Sequence, residues 1–416
     1  MKILVLGAGR MGHGAAFDLI HNSPEIESVT VADLDLEKAE AVARAVGTDR
    51  IKAAEIDASN EADIARIMAP HDSAISCVNY WYNESLTRTA ISTGTHFCDL
   101  GGNNYVVDSQ LALDDEAKAA GISIIPDCGL APGMVSILAT HGAKQFETLD
   151  EIHIRVGGLP QNPQPPLDYQ LVFSVEGLIN EYVEVARVIR DGKIAEVPSM
   201  TELESLSFDG FPPLEAFQTS GGTSTLPDTF LGKIKELDYK TIRYSGHCEK
   251  FRAMIELGLC SSEEIILSEP GAVATGFSPR KLFGDLLQKH LPADGPDYVL
   301  VRLEFKGTLR DGSPHERKVS LGDSTPQRDT NDAAPERSQI ANPKSRTLTY
   351  DIVDRFDTST GLSAMMRTTA FPASIIAQMM ARGDVSRCGA TPQELAIEPD
   401  KFVAELARRD IVPKIY

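Results

Sequence analysis

The first third of the chain alternates two hydrophobic patterns. Short apolar runs occupy residues 3–6, 29–32, 51–56, 73–78, 96–100 and 122–126. Between them lie stretches with helical spacing of apolar positions: from Gly12 to about residue 21, then 36–46, a segment after Ser59, 84–93 and 107–120. Runs of strand length separated by 3.6-periodic segments predict βα units, and hence one parallel sheet of about six strands with right-handed crossovers. The loop 127–133 breaks this rhythm, and a helix is expected from about 134 to 144. From Asp150 onward strands and helices mix: a strand at 152–156 ending at Gly157-Gly158, a proline-rich loop at 160–166 and a helical stretch near 176–183. Further strands are expected at 241–244, 298–306 and 347–354. The polar segment 322–345 reads as an excursion between two strands of a hairpin. Residues 363–382 are largely apolar and helical, and Pro372 places a helix start near it. A helix this apolar has to be buried, either on the first domain or in a subunit interface. Residues 401–409 form a last amphipathic helix. The expected fold class is therefore α/β: a doubly wound parallel sheet of Rossmann type at 1–133, an α+β substrate and dimerisation domain at 134–360, and C-terminal helices at 361–416 that pack back on the first domain.

The opening segment carries chemistry. Gly7-Ala-Gly9-Arg10-Met11-Gly12 follows the first apolar run and opens the first helix. In the strand–turn–helix unit that binds dinucleotides, the first glycine allows the tight turn. The second lets backbone approach a pyrophosphate, and the third lets helix pack on strand. The helix N-terminus offers free N–H groups to the phosphates, which assigns Gly7, Gly9, Arg10, Met11 and Gly12 to a cofactor. Asp33 ends the second run, where a carboxylate accepts from ribose hydroxyls and repels a 2′-phosphate, so the expected cofactor is NAD. Asp57, at the third strand tip, either touches the adenine edge or caps the following helix. Val78, Asn79 and Tyr80 begin a loop at the carboxyl end of the sheet, where ligands bind in such folds.

Composition narrows the rest. The chain has 416 residues, 42% of them hydrophobic, enough for two domains with substantial cores. A formal net charge of −20 argues against nucleic acid or anionic membrane as a partner. The six cysteines include no CxxC pair, so reduced thiols in a cytoplasmic protein are expected. No run reaches membrane-spanning length, the N-terminus reads as a core strand rather than a leader, and no side-chain cluster has metal spacing.

The motif order resembles the saccharopine dehydrogenase family, and within it the NAD-dependent L-lysine 6-dehydrogenases. The matching stretches are VLGAGRMG, DLGG at 99–102, PDCGLAPGM at 126–134 and VGGLP at 156–160. LEAFQTSGGTSTLP at 214–227 and YKTIRYSGHCEKF at 239–251 follow. The resemblance implies hydride transfer between a nicotinamide and a C–N bond of a lysine-derived substrate, with Arg243 as clamp for the α-carboxylate. A guanidinium is a planar fork that fits a carboxylate, although an arginine at a sheet edge also pairs with structural acids. Saccharopine reductases of the family carry an aspartate where this chain has Ala131. The missing acid favours free lysine, oxidised at its ε-carbon to 2-aminoadipate 6-semialdehyde, over the bulkier glutamate adduct. Saccharopine or a carboxylated polyamine is the alternative, and a non-catalytic nicotinamide-binding regulator the remote one.

Oxidising an amine requires a neutral nitrogen, and the lysine ammonium has a pKa near ~10.4, so a proton acceptor is needed. Asp99 and Asp127, each just past a strand, are candidates for this base or for the partner of the substrate ammonium, or else cap the next helix. Tyr80 and Tyr82 either stack on the nicotinamide or relay a proton, or else pack in the core or at the rim. Tyr244 and His247 flank the clamp, and His247 is a relay, a carboxylate ligand or a structural histidine. Gly222 and Thr223 lie in the polar loop 219–224, which lines the pocket or is simply a turn. A dimer or tetramer is expected from the apolar segment 363–380.

Overall fold

The computed structural model describes residues 1–267, 275–310, 345–385 and 387–416. The first sheet contains strands β1 (Lys2–Leu6), β2 (Ser28–Asp33), β3 (Ile51–Glu55), β4 (Ser73–Ser76), β5 (His96–Asp99) and β6 (Ser123–Ile125). They run parallel in the order β6-β5-β4-β1-β2-β3, so the crossover direction reverses between β1 and β4. A seventh strand, Gly389–Ala390, pairs with β6 and comes from near the far end of the chain. The central strands β1 and β4 are buried on both faces, which accounts for their continuous apolar runs, whereas the edge strand β3 exposes Lys52 and Glu55. The helical stretch expected over 107–120 is two helices, Asn104–Leu111 and Asp114–Ala120.

The second sheet is mixed. It is formed by β7 (Phe146–Pro160), the hairpin β8 (Ala186–Arg190) and β9 (Lys193–Val197), β10 (Glu204–Leu206), β11 (Leu214–Gln218) and β12 (Glu236–Tyr244). A separate ribbon pairs β13 (Ile265–Leu267) with β14 (Thr275–Phe277). Strands β15 (Asp297–Leu309) and β16 (Arg346–Arg355) complete the second sheet with the terminal Lys414–Ile415. Two expected boundaries are corrected. Strand β7 runs through Gly157 and Gly158 instead of ending there. A Cβ on Gly157 would sit 2.4 Å from the Ile242 carbonyl oxygen, so the glycine permits close strand packing and does not terminate the strand. Strand β12 begins five residues earlier than expected, because Glu236 to Lys240 pair with Glu151 to Arg155 of β7. Strands β15 and β16 do pair antiparallel, but the polar excursion expected between them lies, but for Ser345, outside the described residues.

Two helices lie between the sheets. Met134–Ala143 packs on β7 and β15, and Ala364–Ala381 packs on the Arg10–His21 helix, β4 and β5. Ala364–Ala381 does not start at Pro372; the proline lies inside it. The start is set by Ser363, whose hydroxyl accepts from the Met366 N–H at 3.1 Å. Burial among both sheets holds the helix through the missing donor. Its apolar surface is covered by its own chain, with Gly14 leaving room for Ala370. The apolarity of this segment is thus accounted for without a partner subunit. Buried polar contacts fix its position: Ser374 donates to Asp18, and Arg409 Nε pairs with Asp18 at 2.6 Å. Ser363→Ala is expected to lower the unfolding free energy by ~1 kcal/mol, the usual worth of a helix cap, measured by urea denaturation.

Candidate functional site

The glycine-rich turn has the geometry a dinucleotide needs. Gly7 has φ +99°, and a Cβ there would lie 2.8 Å from the Cys77 carbonyl oxygen. A Cβ on Gly12 would lie 1.8 Å from the Gly7 oxygen, whereas Gly9 faces open space with nothing within 4 Å. Gly9 is the N-cap of the Arg10–His21 helix and no side chain caps that end, which leaves N–H groups for an anion. The residues present therefore fit a pyrophosphate. Asp33 Oδ2 accepts from the Ala8 N–H at 2.6 Å, so the carboxylate sits against the turn.

Other expected cofactor residues divide. Met11, Val78, Asn79 and Tyr80 line a cleft of about 330 Å³ at the carboxyl ends of the first sheet's strands. Arg10 instead donates to the carbonyls of Ala293 (2.6 Å) and Leu171 (3.1 Å), bridging the turn to the second sheet's side of the molecule. Asp57 is exposed and turned onto Ser59, whose N–H and hydroxyl it accepts. Asn60, not Asp57, caps the next helix.

The cleft continues between the two sheets. Asp127 enters it from the loop after β6 with φ +60°, uncommon for a residue with a side chain. Its carboxyl group is buried against Gly101, where a Cβ would come within 2.0 Å of Oδ1. Burial, with the Asp99 charge behind it, pushes its pKa up to about 8, against the lowering effect of a short hydrogen bond from the Ser224 hydroxyl. Asp99 is buried behind the cleft. It accepts from Gly101 N–H (2.7 Å), Asp127 N–H (3.2 Å) and Gln110 Nε2 (2.7 Å), and so shapes the loop. The following helices are capped by Asn103 and Gly133, not by these aspartates. Tyr80 lines the cleft over Gly102, while Tyr82 is half-buried and packs against the first sheet's core.

Strand β12 supplies the opposite wall. Tyr239, Thr241 and Arg243 alternate along one face and line the cleft. Tyr244 is therefore on the other face; its hydroxyl donates to the Pro160 carbonyl at 2.8 Å and reaches no part of the cleft. Arg243 Nε donates to the Tyr182 hydroxyl at 2.8 Å and Nη1 to the Ile242 carbonyl at 2.9 Å, with the guanidinium 4.7 Å from the Tyr169 ring centre. Nη2 has no protein partner among the described residues and is not among the buried orphan atoms, so it reaches the cleft. His247 is fully enclosed behind Arg243, outside the cleft. In the loop 219–224 the lining residues are Ser220 and Gly221. Gly222 lies behind them, 2.4 Å from the Tyr239 ring at its Cβ position, and Thr223 bonds the Arg187 carbonyl.

The structure adds a residue the sequence reading missed. Glu181, on the Val175–Val183 helix, lines the cleft near Arg243, and burial raises its pKa to about 7 against the pull of that guanidinium. Its carboxylate makes no side-chain hydrogen bond among the described residues. Nothing in its local sequence marks it, but the two-residue period of β12 would have found Tyr239 and Thr241. Among the described residues lining the cleft, Arg243 is the one cation, facing Asp127, Glu181 and Glu184. Ala131 also lines it, at the position where the resemblance implied an acid in saccharopine reductases. No group of three or more potential metal ligands occurs among the described residues, and no helix there is long and apolar enough to cross a membrane.

Residues 3–125 match the family model described as saccharopine dehydrogenase NADP binding domain, and 129–412 that of the saccharopine dehydrogenase C-terminal domain. The saccharopine dehydrogenase (NADP(+), L-glutamate-forming) of Saccharomyces cerevisiae is 25% identical over 338 residues, covering 77% of this chain and 70% of that one. Among solved structures, apo saccharopine dehydrogenase (L-Glu forming) from S. cerevisiae superposes with a TM-score of 0.75 at 19% identity, over 100% of this chain and 99% of that one. The homospermidine synthase of Legionella pneumophila, in complex with NAD, gives 0.62 at 12% identity, over 100% and 91%. The structural likenesses establish a shared fold.

Proposed function

The chain belongs to the saccharopine dehydrogenase family of oxidoreductases, and from that premise we propose that it oxidises the ε-amine of L-lysine with NAD. The observation that carries this reading is the charge inventory of the cleft: one guanidinium against three carboxyl groups. Free lysine has one carboxylate and two amines, which such a wall matches. Saccharopine has three carboxylates and would need more cations than Arg243. Arg243 Nη2 takes the α-carboxylate, and Glu181, beside it, takes the α-ammonium. The substrate then extends toward Asp127, the cleft-lining acid of the loop after β6. Held near pKa 8, Asp127 is basic enough to draw a proton from the ε-ammonium and still ionisable near neutral pH. A bound nicotinamide supplies the hydride acceptor. Ser224 keeps the Asp127 carboxyl oriented, and Gly101 gives it room.

The test is reduction of NAD by L-lysine without 2-oxoglutarate, followed by absorbance of the reduced nicotinamide. Turnover of saccharopine with none of lysine would transfer the assignment to the activity named for the yeast relative.

For the cofactor, the family model's description names NADP, whereas Asp33 places a carboxylate at the tip of β2. Its Oδ1 also accepts from Asp35 N–H at 3.0 Å, and the nearby Lys38 is paired with Asp35. A 2′-phosphate would therefore meet negative charge. Asp33→Ser is expected to raise kcat/KM for NADP relative to NAD by roughly tenfold or more, as removal of a like-charge contact allows. Equal use of both cofactors by the unaltered protein would refute the NAD reading.

A further inference from the structure

His247 does not touch the cleft, yet its hydrogen bonds end at the residue that does. Its Nδ1 lies 3.0 Å from the Leu167 carbonyl oxygen, and its Nε2 lies 3.1 Å from the Tyr182 hydroxyl. The same hydroxyl accepts from Arg243 Nε at 2.8 Å. A carbonyl only accepts, so Nδ1 carries the proton and Nε2 presents a lone pair. The one hydroxyl hydrogen of Tyr182 then goes to His247, and an oxygen lone pair is left for Arg243. The donors run in one direction: Arg243 to Tyr182 to His247 to Leu167.

The surroundings hold this arrangement. The imidazole is stacked between Phe217 and Phe251 and meets Tyr169 and Tyr182 edge-on. Its helix, His247–Glu256, is fastened at the start by Glu215, which accepts from Gly246 N–H (2.8 Å) and Cys248 N–H (2.6 Å). Burial and the Arg243 charge lower its pKa to about 3, so it stays neutral. A protonated His247 would make Tyr182 accept twice and leave the tyrosine's own hydrogen without a partner in a dry site.

We infer that His247 is the positioning residue for the carboxylate clamp: through Tyr182 it fixes the rotation of the Arg243 guanidinium, so that Nη2 faces the cleft. This rests on Arg243 gripping the substrate carboxylate, as proposed above. With Nε tied to Tyr182, Nη1 to Ile242 and the plane against the Tyr169 ring, one edge of the fork remains for substrate. Without the histidine, the tyrosine hydroxyl loses its acceptor and turns, and the guanidinium loses its stop.

The experiment is steady-state kinetics on full-length variants with whichever amino acid the unaltered protein oxidises. His247→Leu is expected to raise the substrate KM about tenfold, leaving kcat within twofold and the NAD KM unchanged. His247→Gln, whose Oε1 can accept from Tyr182, should recover most of the loss. Tyr182→Phe should reproduce the defect, and adding His247→Leu to it should change nothing more, because the histidine acts through the hydroxyl. An unchanged KM in His247→Leu, additive effects in the double variant, or an equal rise in the NAD KM would overturn the inference. If His247→Leu does not fold, an unchanged KM in Tyr182→Phe overturns it as well. Arg243→Ala is measured alongside. If it too is silent, the clamp itself is wrong, whereas a large effect there with silent His247 variants removes only the positioning role.

Discussion

Arg243→Ala is expected to lower kcat/KM for the amino-acid substrate about 10³-fold, with the loss falling mainly on KM and with the NAD KM little changed. Removing one member of a buried, hydrogen-bonded charge pair costs ~2–5 kcal/mol, which is roughly 30- to 5000-fold. Arg243 should lie in the upper half of that range. It is 3% exposed, and no other cation among the described lining residues can take over the carboxylate. Glu181 sharpens the expectation: with the guanidinium gone, nothing opposes the effect of burial on its carboxyl group, which stays protonated and no longer pairs with the α-ammonium. Arg243→Lys retains the charge but loses the fork and the contact with the Tyr169 ring, so it should recover only part of the loss. A diamine of the same length without the carboxylate provides the control. It should be a poor substrate for the unaltered protein, and Arg243→Ala should not worsen it. Equal losses for the amino acid and the diamine would mean that the arginine supports the fold and not the substrate.

Arg243 entered through the resemblance of its block, whereas nothing in the sequence pointed to Glu181, and that silence has a physical origin. Local patterns report local constraints. Gly12 is demanded by a contact within one βα unit, Gly7 by the positive φ of its own turn, and most of the apolar runs by burial on both sheet faces, so the first domain was readable almost element by element. The second sheet was not, because its partners are distant in sequence. Strand β7 pairs with β12 and with β15, and only that pairing shows why Gly157 lies within a strand. The same distance hid the cleft. Glu181 matters because a helix at 175–183 faces a strand at 236–244, a relation that neither segment encodes alone. Tyr244 lies outside the cleft for a smaller reason: it is one position out of phase with Arg243, and in a strand one position is the opposite face. Thr223 lies outside it because the turn carries its hydroxyl to the Arg187 carbonyl. Pro372 misled because a proline marks a helix start only where the chain has no better option. Here burial on both sides held the helix together across it.

Asp127→Asn is expected to reduce kcat by ~10²–10⁴-fold, the range for loss of a positioned general base, and at the same time to stabilise the protein at alkaline pH. The two effects have one cause. Burial and the Asp99 charge hold the Asp127 carboxyl protonated up to about pH 8 in the folded chain, whereas an unfolded aspartate ionises near ~4. As a base it works only when ionised, so kcat/KM should rise with unit slope below about pH 8 and level off above it. The asparagine variant should lack this limb. Ser224→Ala, which removes a hydrogen bond to the carboxylate, should move the limb upward. Stability runs the opposite way. Between about pH 4 and pH 8 the folded state holds a proton that the unfolded state has released, so the aspartate's contribution to stability falls as pH rises across that window. Above pH 8 the buried charge costs the native state its full penalty, and an asparagine of the same shape does not. The Tm difference between variant and unaltered protein should therefore be greatest near pH 9 and fade toward pH 4. A variant inactive because it is misfolded would lose activity and Tm together; one that has lost a costly buried base should lose the first and gain the second.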